Sequence, residues 1–329
     1  MRKHDDALIL AAILDGAGGA RELRWDDIDC WRVEDGVLWL HFYLDEPQAQ
    51  EWLVQRSGLD PIVCNALLMP ETRPRAVVIG DGLLLMLRGV NLNPGAEPED
   101  MVSVRVWADA QRVITVRRRK LMGMQDLIDD FAVQAGPRNA AEFVVKLSEH
   151  ITTRMAPVIA QIHENLDSIE EEVLTRRDAE IRGRLSEIRR RVIRLRRFIG
   201  PQRDTLTQMV RERLTWFGPD DMTAMREVAF AITRHLEDLD VAREQAIVTH
   251  DELTAYVGEQ LGRTMYFLAL VTTFFLPITF LTGLLGMNIG GLPGVPAEQH
   301  PDAFALTIAA MVAIIGFQLW IFRRWHLMK

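Results

Sequence analysis

Cysteine is scarce. Cys30 and Cys64 are the only two in 329 residues, and no CxxC spacing joins them. Nothing in their placement supports a disulfide framework or a thiolate metal site, and two reduced thiols are expected. Catalytic signatures are absent too. There is no GxSxG, no HExxH and no phosphate-binding glycine loop, and Gly16-x-Gly18-Gly19 lacks the spacing of a dinucleotide site. An enzyme is therefore not expected, and neither is a resident cofactor. A basic balance is also missing. The formal net charge is −8, which argues against a nucleic-acid partner and suits a protein that attracts cations. The most informative shortage is local. No Asp, Glu, Lys or Arg occurs from Thr264 to Ala297, nor from Ala303 to Phe322.

Thr264 to Leu285 gives 22 uncharged residues and Ala303 to Phe322 gives 20. A helix needs about 20 to cross the hydrocarbon core. Pro277 is tolerable inside such a span because neighbours can satisfy the freed carbonyl. Arg263 precedes the first span, and Arg323, Arg324 and Lys329 follow the second. The loop between them holds no Lys or Arg, only Glu298, His300 and Asp302 as ionisable groups. By the positive-inside rule both termini face the cytoplasm of an inner-membrane protein. The N-terminal run Ala7 to Leu14 is too short for a span and follows Asp5 and Asp6, so it reads as a first strand turning at Asp15-Gly16 rather than as a signal peptide.

The fold class expected is a cytoplasmic α+β domain followed by two C-terminal transmembrane helices. Residues 1–125 carry strand-type runs: Val37 to Leu44, Ala76 to Ile79 and Leu83 to Leu87 about an Asp81-Gly82 type I′ turn, Val102 to Trp107, and Val113 to Val116. Pro47 and Pro61 each lead a short helix. Residues 126–218 read as antiparallel cytoplasmic helices, with one helical pattern from Ala141 to an acidic end near Leu174. Arg176 to Arg203 then holds eleven arginines. A nucleic-acid face is one reading of that run. Apolar Ile181, Leu185, Ile188, Val192, Leu195 and Ile199 recur at helical spacing through it, which favours an amphipathic helix packed on the acidic one, with a basic face free for solvent or lipid headgroups. After Gly218-Pro219 no proline follows until Pro277, so a stalk over 219–263 should run on into a first span over 264–288, about 95 Å of helix from Met222 to Leu285. Residues 289–302 form the outer loop, 303–322 the second span and 323–329 a cytoplasmic tail.

Two helices cannot enclose a pore in one chain. Counting in sevens from Glu237 gives Glu244, Asp251, Gly258, Met265, Thr272, Thr279 and Gly286, an acidic stripe that becomes apolar and then hydroxyl-bearing. In a ring of copies, acidic positions concentrate cations, apolar ones gate by dewetting and threonines hold hydrated ions. Met265, Leu268, Thr272, Leu276 and Thr279 are the expected pore lining. Glu237, Glu244 and Asp251 read equally well as a solvated face. His250 with Asp251, and His300 in the loop, are the metal-binding positions to test.

The first span ends in Gly286-Met287-Asn288. Set after Phe275-Leu276-Pro277-Ile278-Thr279-Phe280, with a second span close behind and a basic tail, this motif resembles the CorA family of divalent metal ion transporters. The similarity also takes in Asp45-Glu46-Pro47, Arg73-Pro74-Arg75 and Ile114-Thr115-Val116-Arg117. Within the family, Gly286 to Gly294, the pair Met265-Tyr266 and Leu14 to Ala20 are most similar to the zinc-transporting ZntB branch. The resemblance implies a funnel-shaped homopentamer with a central pore, Gly-Met-Asn at its outer mouth, and proton-coupled zinc transport. A magnesium, cobalt or nickel channel of the same family is the alternative. A two-span membrane sensor or scaffold is the alternative of another class.

Overall fold

The computed structural model describes residues 7–70, 73–175, 179–212, 214–284 and 303–324. Its contacts divide the chain into two units, Met1–His250 and Asp251–Lys329.

The first unit opens with strands β1 (Leu8–Leu14) and β2 (Ala20–Glu22). The reading of Ala7 to Leu14 as a strand holds. Asp15 Oδ1 accepts from the N–H groups of Ala17 (2.7 Å) and Gly19 (2.9 Å), and Gly16 takes a φ of +73° in the turn. Strand β3 (Val37–Tyr43) follows, then the proline-led helices α1 (Pro47–Gln55) and α2 (Pro61–Leu68). Asp60 caps α2, accepting from Ile62 N–H at 2.7 Å. Strands β4 (Arg75–Ile79), β5 (Gly82–Gly89), β6 (Val102–Ala108) and β7 (Arg112–Arg117) complete one sheet in the order β2-β1-β3-β7-β6-β5-β4. All pairings are antiparallel except β3 with β7.

One turn differs from expectation. Ile79 pairs with Gly82, so the two loop residues are Gly80 and Asp81, not Asp81 and Gly82. Only Gly80 has positive φ (+62°), the pattern of a type II′ turn rather than I′. Gly82 belongs to the strand for a separate reason. A Cβ there would stand 2.2 Å from the Trp107 ring across the pair.

The sheet is covered on both faces, which is why β3 is buried nearly throughout. On one face Phe42, Leu40, Ile114 and Met86 pack with Trp52, Leu53, Val63 and Leu67 of α1 and α2. On the other, Trp39 meets Phe131 (5.8 Å between ring centroids) and Phe143 (4.9 Å) of helices α3 (Met122–Ala132) and α4 (Ala140–Thr153). His41 lies buried beside Trp39. Thr115 Oγ1 donates to the Leu40 carbonyl (3.1 Å) and accepts from Trp39 Nε1 (2.9 Å). His41 Nδ1 lies 2.8 Å from the same hydroxyl, and the imidazole tautomer sets which of the two donates. His41 Nε2 meets no hydrogen-bond partner among the described residues. Burial, and then repulsion from Arg117, lower the His41 pKa to about 3.

The helical pattern from Ala141 onward is two helices, not one. It breaks at Arg154, and α5 (Ala156–Thr175) begins after it. Pro157, which lacks the N–H that would continue the helix, stands at the start of α5, and Arg154 at the break makes a two-pronged pair with Asp126 (2.8 and 2.5 Å). Helix α6 (Ala179–Met209) carries the arginine run, and its apolar stripe is buried as expected: Ile181, Leu185, Ile188, Val192, Leu195 and Ile199. The arginines do not all face the acidic end of α5. Arg184 pairs with Glu172 (2.7 Å), Arg191 reaches Glu99 (3.3 Å), and Arg196 pairs with Asp240. Helix α6 packs against β4 and β5. There Gln202 Oε1 accepts the backbone N–H of Arg88 (2.6 Å), beyond the point where β4 stops pairing.

Helix α7 (Pro219–Leu284) is the single long helix that the proline spacing predicts. In the first unit its inward stripe is Met225, Val228, Ile232, Leu236, Leu239, Ala242 and Ala246. Polar bonds pin it to α4 and α5: His235 to the Thr152 carbonyl (3.2 Å), Gln245 to Asp167 (3.2 Å) and Thr249 to Glu170 (3.0 Å). His235 is thus a half-buried partner of α4 rather than a solvated side chain, and burial holds its pKa below the usual value.

Candidate functional site

The second unit holds the end of α7 and helix α8 (Ala303–Arg324). Both helices are long and apolar enough to cross a membrane, and their apolar side chains are largely uncovered. Phe267, Phe275, Leu276, Phe280 and Leu306 each expose more than 60% of their surface. So much apolar area needs lipid or further copies of the chain to cover it.

The expected lining residues Met265, Leu268, Thr272, Leu276 and Thr279 are all exposed on α7. Thr272, Leu276 and Thr279 share one shallow hollow with Val271, Phe275, Pro277 and Phe280. The Thr272 hydroxyl donates back to the Leu268 carbonyl (2.9 Å), as a helical threonine in hydrocarbon commonly does. Its proton is thereby committed, and its oxygen faces outward as an acceptor only. That suits a cation or its water shell.

Pro277 has a local consequence. It brings no N–H, so the Thr273 carbonyl, four residues earlier, has no helical donor. Gln318 of α8 supplies one: its Nε2 donates to Thr273 O at 2.9 Å. Phe274 and Phe322 stack beside this bond, with centroids 5.8 Å apart. Gln318 had not been singled out from the sequence. Two signals point to it: a lone amide in an uncharged span, and a proline in the partner span with an orphaned acceptor.

On the first-unit stretch of α7, Glu237 and Glu244 are exposed opposite the buried stripe, and Asp251, in the second unit, is exposed as well. His250 is half-buried. Among the described residues no group of three or more His, Cys, Asp or Glu side chains could hold a metal ion. Gly286, Met287, Asn288 and His300 lie outside the described residues.

An α/β domain, a long helix that enters a membrane-type apolar segment, and a second apolar helix joined to it at a proline define a two-span membrane protein with a large soluble part. Comparison with known proteins gives the family. The family model described as CorA-like Mg2+ transporter protein matches residues 34–324. The divalent cation transporter CmaX of Pseudomonas aeruginosa is 42% identical over 320 residues, 96% of each chain. The zinc transport protein ZntB of Pectobacterium carotovorum is 35% identical over 311 residues, 94% of this chain and 93% of that one. A solved full-length CmaX structure superposes with a TM-score of 0.84 at 41% identity, covering 97% of this chain and 98% of that one. The CorA magnesium transporter of Methanocaldococcus jannaschii shares the fold at 19% identity, with a TM-score of 0.77 over 96% of this chain and 98% of its own. The chain belongs to the CorA family of metal ion transporters.

Proposed function

We propose that this protein carries divalent cations across the inner membrane, zinc foremost, through a pore lined by α7 in a homopentamer, with both termini in the cytoplasm. The observation that carries this reading is the open, uncharged face of α7 on which Thr272, Leu276 and Thr279 stand together. Arranged around an axis, each position becomes a ring. Threonine rings offer oxygen lone pairs to a hydrated ion, and leucine rings between them close by dewetting. Asn288, with Gly286 and Met287, supplies neutral oxygens at the outer mouth, where His300 helps to capture the ion. Glu237, Glu244 and Asp251 draw cations on the cytoplasmic side, and His250 beside Asp251 is the zinc-responsive position.

Zinc and its proton coupling rest on the similarity to ZntB. Neither His nor Cys occurs in the two spans. A zinc ion in transit would therefore keep oxygen ligands rather than the nitrogen and sulfur it prefers. The same observation supports the second reading, a channel for harder cations such as magnesium.

The test is metal entry into liposomes containing the purified protein, with zinc and magnesium measured with and without an inward proton gradient. Zinc entry should rise with the gradient and fall at least tenfold in Asn288→Ala. Gradient-independent magnesium entry would assign the channel reading. No entry of any divalent ion, with insertion verified, would remove the transporter reading.

A further inference from the structure

Where β5, β6 and β7 end, α6 passes alongside and a cavity of about 440 Å3 opens between them. Five arginines line it: Arg88 from β5, Arg118 and Arg119 just after β7, and Arg194 and Arg197 from α6. Three carboxylates meet them: Glu99 and Asp100, which line the cavity from the loop before β6, and Asp45, which pairs with Arg118 from outside it. Glu99 is almost sealed and is already held by Arg191 (3.3 Å) and Arg194 (3.7 Å). Asp100 stands 3.9 Å from Arg194. The cavity therefore carries an excess of positive charge in a protein whose net charge is −8.

A run of arginines on a helix is usually a solvated face. Here Arg194 and Arg197 are exposed on that face, but two arginines from the sheet side are held in fixed orientations beside them. The Arg88 guanidinium lies over the Phe198 ring, 4.1 Å from its centroid, and donates to the Met101 carbonyl (2.9 Å). Arg118 is oriented by Asp45 (3.1 Å) and the Pro70 carbonyl (3.3 Å). Arg119 and Arg197 are exposed at the rim and form no ion pair among the described residues, which leaves both guanidinium groups available to a ligand. Behind the wall Arg105 is fully buried. It donates to the Met69 carbonyl (2.7 Å), while its Nε and Nη1 meet no hydrogen-bond partner. Burial, then repulsion from Arg118 and Arg88, bring its pKa down to about 10, partly offset by Asp45.

Oriented guanidinium forks match the paired oxygens of phosphates. The cavity volume falls in the range of small-molecule sites, roughly 300–1,000 Å3. We propose that this cavity binds a polyphosphate anion, free or as part of a nucleotide. The site is remote in sequence from the proposed ion pathway, and its occupancy is readable whether or not the chain moves ions.

The experiment is calorimetric titration of the full-length protein in detergent, with EDTA present to exclude metal bridging. The probes are inorganic triphosphate, ATP and sulfate. Triphosphate or ATP should bind at micromolar concentration. The Arg119→Ser, Arg197→Ser double variant should weaken that binding at least tenfold with an unchanged melting temperature. Should the double variant unfold, Arg197→Ser alone is read against Arg21→Ser, an exposed control on β2. ATP binding more tightly than triphosphate assigns the ligand as a nucleotide, and equal affinity assigns the phosphates alone. No binding at millimolar probe, sulfate binding as tightly as triphosphate, or loss of affinity no larger than in the Arg21→Ser control would overturn the proposal.

Discussion

His41 shows how much one titratable side chain can decide. Its folded pKa of about 3 lies below the ordinary 6.5. The unfolded chain therefore takes up a proton first as pH falls. Stability from this group is complete above about pH 6.5 and drains away as pH drops toward 3, by about 1.4 kcal/mol per pH unit. Thermal melting of the wild type should accordingly fall between pH 6.5 and 4.5 more steeply than that of His41→Gln, even though the variant starts lower at pH 7.5. Parallel profiles would mean that His41 does not remain neutral. The burial of His41 was readable in outline, because it sits in an apolar strand run. Its hydrogen-bond partner was not, because Thr115 lies 74 residues away on another strand.

Between elements, the bond from Gln318 to Thr273 makes a sharper demand. If it exists because Pro277 withholds a donor, the two residues must be coupled. Gln318→Leu should cost about 1 kcal/mol in the native background, the scale of a polar bond between membrane helices. In Pro277→Ala the new N–H serves Thr273 itself, and the same Gln318→Leu change should cost little. Melting temperatures of the four variants in detergent close the cycle, and additive effects would refute the coupling. The elements themselves were largely legible from the sequence. Proline placement set the starts of α1 and α2 and the length of α7, and six apolar residues at helical spacing identified the buried face of α6. Three things were not. The β4–β5 turn shifted by one residue because Gly82 is needed under Trp107. The helix break after Arg154 precedes Pro157, a local signal that the continuous apolar spacing masked. The arginine cavity joins positions near 88, 118 and 194, which no local pattern connects.

At the scale of the whole molecule, the exposed side of α7 bears Phe230 (68% exposed), Val241 (61%) and Val248 (51%) beside Glu237 and Glu244. These apolar groups lie in the charged stretch before the apolar span, where lipid does not cover them, and the proposed homopentamer gives them partners. Val241→Glu should therefore lower the mass of the assembly by native mass spectrometry while leaving helix content unchanged. A wild-type dimer in the same experiment would favour the sensor reading over the pore.

The proline gap also bears on how the chain enters its membrane. Helix α7 carries an unpaired carbonyl into hydrocarbon, and α8 carries an amide. Each is costly alone, by as much as several kcal/mol, and neither is compensated until the other lies beside it. Since α7 leaves the ribosome first, its release into lipid is favoured only once α8 has been made. The two spans should then pass from the insertion machinery into the bilayer as a joined hairpin, not one after the other.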